Sequence, residues 1–232
     1  MIYVISDLHG YQFERFTELL RKADFSENDL LYVLGDVIDR GEDGIKYLLW
    51  LREQKNAHML LGNHELMMRS CGFLFQPNVL ELMKNLDEAQ KTKLGLWMAN
   101  KAEPTVRGLF SISQEERETV FDYVSSLPVY ETVRAGGREY LLTHSGMRGF
   151  EPQKSPDSYS VEDLVWNRPE ITDRYFEDKT TVFGHTPTFM YGERYAGRIV
   201  VTDTWIDIDA GAGYGISPVL LRLDDMEQFV IE

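Results

Sequence analysis

Cysteine is almost absent: Cys71 is the only one in 232 residues. A lone thiol cannot build an internal disulfide framework, so this chain suits a reducing compartment, and Cys71 reads as a small apolar filler rather than a nucleophile. Basic residues are scarce as well. Lys and Arg number 24 against 38 Asp and Glu, a net charge of −14. That deficit excludes broad contact with nucleic acid or an anionic membrane, which takes clustered cations. No apolar run approaches the roughly 18–20 residues of a membrane span. Met1 to Asp7 has no basic region ahead of its apolar residues and does not read as a signal peptide, so a cytoplasmic location is expected. Repeats and low-complexity linkers are missing, and with 43% hydrophobic residues the simplest account is one domain with a substantial core.

What is present is an alternation. Ile2 to Ser6 reads as a buried strand ending in Asp7-Leu8-His9-Gly10, with a helical pattern over Tyr11 to Lys22. Leu30 to Leu34 is a second apolar strand, ending in Gly35-Asp36-Val37-Ile38-Asp39-Arg40-Gly41 ahead of a helix from Asp43 to about Gln54. A third strand, Ala57 to Leu61, ends in Gly62-Asn63-His64-Glu65. Three strands thus end in polar loops that lead into helices, which predicts βαβ units and a mainly parallel sheet. Open α/β sheets bind ligands at such strand ends.

Residues 66 to 127 differ. Asn78 is placed to cap a helix running to about Ala99, and Ser113-Gln114-Glu115-Glu116 matches a capping box for a helix to about Ser125. Phe73, Phe75, Trp97 and Phe110 suit a helical layer packed on the sheet, with a lid or substrate-selecting wall as the alternative. From Val129 strands return: a hairpin over Val129–Arg134 and Glu139–Thr143 turning at Ala135-Gly136-Gly137, a strand over Thr180–Phe183, and further strands at 189–191, 198–203, 205–208 and 218–223. A short helix begins at Ser160 and ends near Trp166-Asn167-Arg168-Pro169. The expected fold is α/β, a two-sheet sandwich flanked by helices.

The chain has five histidines, and four of them, His9, His64, His144 and His185, follow apolar strand-like runs in Gly-containing loops. Asp7, Asp36, Asp39 and Asn63 occupy equivalent places, while His58 lies inside a strand and fits no motif. One such histidine is an ordinary loop residue; four with carboxylates point to metal. Imidazoles, carboxylates and an amide oxygen suit Mn, Fe or Zn. The set is too large for one tetrahedral zinc site, whereas two ions roughly 3.5–4 Å apart sharing a carboxylate would use it. Residues two apart in an extended segment point the same way, so Asp7 and His9 are expected to reach one ion.

Asp7-Leu8-His9-Gly10, Gly35 to Gly41 and Gly62-Asn63-His64-Glu65 resemble, in order and spacing, the three signature motifs of the phosphoprotein phosphatase branch of the calcineurin-like metallophosphoesterases. His144 and Gly184-His185-Thr186-Pro187 resemble the two later histidine motifs, and Ile208 to Ala212 the C-terminal segment of bacterial and bacteriophage members of the lambda phosphatase type. The resemblance runs from Asp7 to about Leu223. It implies Asp7, His9 and Asp36 around one ion, and Asp36, Asn63, His144 and His185 around a second, with Mn2+ the expected metal. It further implies Arg40, Arg168 and Asn63 on the substrate phosphate, and His64 as general acid oriented by Asp39. Ser145 stands where many relatives have Gly or Ala, and nothing between Leu66 and Leu127 matches, so substrate choice is expected to reside there.

The implied reaction is hydrolysis of a phosphomonoester by a metal-activated hydroxide, with no covalent intermediate on Cys71. A serine/threonine, or also tyrosine, protein phosphatase is the first expectation. A symmetrical dinucleoside polyphosphate hydrolase is the alternative, and a silent metal-binding adaptor the reading from another class.

Overall fold

Apolar runs of three to six residues become strands here, and each of six ends where the sequence turns polar. The structure, a computed structural model, describes residues 1–231. Strand β1 (Ile2–Ile5) leads through helix α1 (Phe13–Lys22) to β2 (Leu30–Val33), and through α2 (Gly44–Glu53) to β3 (Ala57–Met59). β1 and β2 pair in parallel with Ile2 opposite Leu30, and β2 and β3 with Leu31 opposite Ala57. Two antiparallel strands, β9 (Leu220–Arg222) and β10 (Gln228–Phe229), complete a sheet of order β10-β9-β1-β2-β3. The second sheet starts with the hairpin β4 (Tyr130–Ala135) and β5 (Arg138–Thr143), followed by β6 (Thr180–Phe183), β7 (Val200–Val201) and β8 (Trp205–Asp207). Its order is β4-β5-β6-β8-β7, with β5, β6 and β8 parallel.

The alternation of side chains along these strands fixes the layering. Val4, Leu142, Val182, Ile206 and Leu221 point between the two sheets. Their neighbours Tyr3 and Ile5 on β1 pack outward with Phe16, Leu48 and Trp97 of the helices. Leu141, Phe183 and Trp205 pack on the outer face of the second sheet with Leu164. Strands covered on both faces must be apolar at nearly every position, which is why these runs read as continuous rather than alternating. Each fully buried Leu, Ile or Val contributes about 1.5–3 kcal/mol.

Helix α3 (Asn63–Ser70) follows β3, and the helical segment beyond it comprises α4 (Val79–Leu82), α5 (Glu88–Ala99), α6 (Glu103–Ser111) and α7 (Gln114–Ser125). Its residues Phe75, Trp97, Leu109 and Val124 belong to the same core as β1 and β2, so it is a packed layer, although Phe110 is exposed. The single helix expected from Asn78 to Ala99 is broken. Asp87 caps α5 by accepting from the Gln90 N–H at 2.8 Å, and its own N–H donates to the Gln90 side chain at 3.0 Å, so a new helix starts there. α6, with Pro104 in its first turn, was not apparent from the pattern. Residues 188–191 form a 3-10 turn rather than a strand, the strand within 198–203 shrinks to Val200–Val201, and β10 was not expected.

The hairpin turn carries positive φ at both Gly136 (53°) and Gly137 (78°), the backbone that matches strand twist. A tighter constraint joins the loops after β1 and β2. Gly10, at φ 65°, has the Gly41 carbonyl 2.3 Å from where a Cβ would lie, whereas a Cβ on Gly137 would meet nothing within 4 Å. Gly10→Ala therefore adds a backbone clash to left-handed strain of roughly 1–3 kcal/mol, and Gly137→Ala only the strain. Urea unfolding should show a clearly lower midpoint for Gly10→Ala than for Gly137→Ala; equal midpoints would contradict the packing of these loops.

Candidate functional site

Six strands converge their carboxyl ends on one place. β1 delivers Asp7 and His9, β2 delivers Asp36, Asp39 and Arg40, and β3 delivers Asn63 and His64 at the start of α3. β5 delivers His144, β6 delivers His185 and β8 delivers Asp209. Apart from the two arginines all the predicted residues are buried, and His58 lies apart on β3 against the Tyr32 ring, 5.3 Å away.

The loops there are not extended. Asp7 (φ 54°), His9 (45°), Asp36 (54°), Asp39 (70°), Arg40 (67°) and His185 (68°) all adopt left-handed backbone. This corrects the expectation that simple alternation aligns Asp7 with His9: left-handed backbone at each of them, on either side of Leu8, turns them toward the same point. Sparsely populated backbone of this kind concentrates at functional sites. It is held by bonds between loops, from His9 N–H to the Asp36 carbonyl (2.9 Å), Gly10 N–H to Val37 (2.7 Å) and Gly41 N–H to His9 (2.9 Å).

The imidazoles have defined tautomers. His9 Nδ1 lies 3.0 Å from the Ile38 carbonyl and His144 Nδ1 2.7 Å from the Leu34 carbonyl. A carbonyl only accepts, so both Nδ1 atoms carry the proton and both Nε2 lone pairs face inward. His9 Nε2 is 3.9 Å from Asp7 Oδ1 and 3.7 Å from Asp36 Oδ2. His144 Nε2 is 3.5 Å from Asp36 Oδ1 and 2.9 Å from Asn63 Oδ1. The buried Nε2 of His185 has no hydrogen-bond partner. Two groups of donors therefore lie close enough to hold an ion: His9, Asp36 and His64, and Asp36, His144 and His185.

Electrostatics select a cation. Burial, with the Glu65 and Asp7 charges adding, pushes the Asp36 carboxyl well above its usual range. Burial and then Asp7 do the same to Asp209. Burial holds His9 and His185 well below the ordinary imidazole value, so their lone pairs are free. Inward lone pairs, an orphaned Nε2 and crowded carboxylates are a donor set that fits divalent metal ions.

Three residues that carry this geometry went unassigned in the sequence. Glu65, fully buried, accepts from the N–H groups of Asp36 (2.8 Å), Val37 (3.0 Å), Ile38 (3.4 Å) and Gly62 (3.2 Å). Its place in Gly62-Asn63-His64-Glu65 was the available signal. Trp97 and Thr105 both donate to the Asp39 carboxylate, at 2.8 and 2.6 Å, and no local pattern announced them. The same carboxylate lies 2.5 Å from His64 Nδ1, while His64 Nε2 faces the centre, 3.8 Å from Asp36 Oδ2.

Arg40 and Arg168 line the recess above these groups, a space of about 50 Å³. Arg40 lies under the exposed Tyr214 ring at 4.9 Å, and Arg168 donates to the His185 carbonyl at 2.9 Å. His9 and Arg40 also line a neighbouring groove of about 560 Å³, together with Tyr11, Glu42, Asp43 and Gly213.

The family description "calcineurin-like phosphoesterase" matches residues 1–210. Serine/threonine-protein phosphatase 1 of Salmonella typhimurium is 27% identical over 198 residues, 80% of this chain and 78% of that protein. The symmetrical bis(5'-nucleosyl)-tetraphosphatase of Chromobacterium violaceum is 42% identical over 67 residues, 28% of this chain and 24% of that protein. The match thus spans about a quarter of the tetraphosphatases. A solved structure described as a candidate diadenosine tetraphosphatase has a TM-score of 0.64 at 17% identity, covering 99% of this chain and 92% of that one. A cold-active protein-tyrosine phosphatase of a Shewanella species has a TM-score of 0.54 at 14% identity, covering 100% of this chain and 80% of its own. At these identities the structural likeness is one of fold. Among the described residues no helix is long and apolar enough to cross a membrane.

Asp36 stands in both donor groups. In chelator-treated protein, added Mn2+ should raise Tm, and at 100-fold excess over Kd the gain is about 2.7 kcal/mol. Asp36→Asn should keep the chelated Tm while losing most of that gain. A Mn2+-dependent rise equal to that of the unaltered protein would remove Asp36 from the centre.

Proposed function

This chain belongs to the calcineurin-like phosphoesterase family, and from that premise we propose that it is a metal-dependent phosphomonoesterase acting on phosphoserine or phosphothreonine in proteins. Asp7, His9 and Asp36 would hold one divalent ion, and Asp36, Asn63, His144 and His185 a second, with Mn2+ the metal to test first. When bound, such ions neutralise charge on phosphoryl oxygens and lower the pKa of water. Arg40 and Arg168 are the groups suited to gripping the phosphoryl oxygens, with the Asn63 amide in reach of the same group. Neither arginine is in an ion pair; the ion-paired arginines among the described residues are Arg15, Arg52, Arg107, Arg134, Arg174 and Arg222. Two guanidiniums without a carboxylate partner, at the mouth of a negatively charged protein, favour an anion there.

The observation that carries the substrate class is the Asp39–His64 pair. Its carboxylate fixes Nδ1 and so turns Nε2 toward the centre, where that atom can hand a proton to a departing oxygen. An alkoxide needs that proton to leave, whereas a nucleoside phosphate leaves readily without it. The groove supports the same reading. Asp43 lines it, with Glu42 held by Arg107 at its edge, and apart from Arg40 it offers no cation to the further phosphates of a polyphosphate. The near full-length likeness to a serine/threonine-protein phosphatase points the same way. A dinucleoside polyphosphate hydrolase is the second reading, supported by the tetraphosphatase likeness over the first motifs. Competition of phosphoserine peptides against dinucleoside polyphosphates, with Mn2+ supplied, distinguishes the two.

Activity should vanish with chelator and return with Mn2+; full turnover by chelated enzyme would overturn the proposal. His64→Asn should slow a phosphoserine peptide by about 10²–10⁴-fold, the usual range for general acid catalysis, and p-nitrophenyl phosphate far less, with metal content unchanged. A loss of bound metal instead would make His64 a ligand. Arg40→Ala should raise KM and the phosphate inhibition constant, losing roughly 1.5–3 kcal/mol of charge-assisted bonding, and unchanged constants would exclude Arg40 from phosphate binding.

A further inference from the structure

The helical segment does not meet the site where a substrate-selecting wall would. Its point of contact is the corner between α5 and α6. Trp97, with no exposed surface, donates its indole N–H to Asp39 Oδ2 at 2.8 Å. Thr105 donates its hydroxyl to Asp39 Oδ1 at 2.6 Å, and the same hydroxyl accepts from the Asp39 backbone N–H at 2.8 Å. The Lys101 carbonyl accepts from the Arg40 N–H at 3.0 Å. Four bonds from one corner therefore grip two consecutive left-handed residues, Asp39 and Arg40. Such backbone persists only where its surroundings over-determine it. Both side chains lie behind Asp39, and of this corner Asn100 alone lines the recess.

The chemistry of the donors matters as much as their number. An indole N–H can only donate, and once buried it needs an acceptor. Trp97 and His64 share one oxygen, Oδ2, so the indole fixes that oxygen where the imidazole requires it. Thr105 fixes the other oxygen and the backbone together, which removes the remaining rotation of the carboxylate. Asp39 has no freedom to turn away from His64, and His64 has no freedom to turn its Nε2 away from the centre.

We propose that Trp97 and Thr105 are positioning residues for the proton donor, so that the α5–α6 corner decides which leaving groups the enzyme expels. It does so by locking Asp39 against His64, not by touching substrate. The proposal rests on the reading of His64 as proton donor, and it assigns the helical segment a task in catalysis of basic leaving groups.

The test compares kcat and KM for a phosphoserine peptide and for p-nitrophenyl phosphate in Mn2+-loaded enzyme, with bound metal measured alongside. Trp97→Phe keeps the ring and removes the donor; Thr105→Val keeps the shape and removes the hydroxyl; Thr105→Ser restores it. Trp97→Phe and Thr105→Val should lower kcat on the peptide about 10–100-fold, the usual cost of removing an outer partner of an active group. They should leave its KM and the p-nitrophenyl rate within a factor of about three, and Thr105→Ser should recover most of the loss. In a His64→Asn background neither change should slow the peptide further, because residues acting as one unit are not additive. Equal slowing of both substrates, or full additivity with His64→Asn, overturns the proposal. If His64→Asn itself fails to discriminate between the substrates, the proton-donor reading has failed instead. Should Trp97→Phe not fold, the Thr105→Val and Thr105→Ser pair decides alone.

Discussion

The buried carboxylate of Glu65 is the interaction on which the centre depends. It accepts four backbone N–H bonds, three from the loop after β2 and one from Gly62 after β3. A buried charge without partners is costly, and here the partners are the donors that a left-handed loop leaves unpaired. Glu65 thereby joins two strand ends and fixes Asp36 between them. Gly62 must be glycine for this to happen: a Cβ there would lie 2.2 Å from Asp36 Oδ1 and 2.6 Å from Glu65 Oε2. The next residue but one closes the arrangement, since the His64 N–H donates to Asp36 Oδ1 at 3.0 Å.

This scaffold holds more negative charge than it can neutralise alone. Behind Asp36 and Asp7 lies Asp209, and behind that Asp207, whose buried carboxyl is pushed well above the ordinary range by burial and by Asp209. The Tyr191 hydroxyl, at 3.1 Å from Asp207, and the Asp209 N–H, at 2.9 Å, are its donors. Among the described residues no lysine or arginine forms an ion pair with any of these four carboxylates; the ionisable groups within 4 Å are histidines, beside Asp7 and Asp36. A fold that gathers carboxylates at strand ends and holds His9 and His185 below the ordinary imidazole range by burial has stored an affinity for cations. Metal binding and folding stability are therefore linked here through the same groups.

The strands were legible because they are covered on both faces and so read as unbroken apolar runs. The donor residues were legible because each follows such a run directly. His185 illustrates this: Thr180 to Phe183 is apolar enough to call, and Gly184-His185 follows at once. What remained hidden depends on contacts distant in sequence. Trp97 lies 58 residues from Asp39 and Thr105 66, so no local pattern ties them together. The break at Asp87 was hidden for a different reason. The flanking segments are both helical by composition, and a capping box within a helical stretch competes with continuation on nearly equal terms. Short edge strands such as β7 and β10 carry too few residues to show a period at all.

The two halves of the site differ in what holds them, and this separates two kinds of change. The cation donors sit at strand ends bound to one another by Glu65 of α3 and by loop-to-loop backbone bonds. The Asp39–His64 pair is gripped in addition from the α5–α6 corner, through Trp97 and Thr105. On the proposed reading, alterations at the α5–α6 corner would alter the handling of the leaving group while the cation donors stay in place. Alterations in Glu65 or Gly62 cannot be local in this way, because they release Asp36, which belongs to both donor groups. On the proposed reading the strand ends would engage the phosphoryl group, and the helical corner would act on what departs from it.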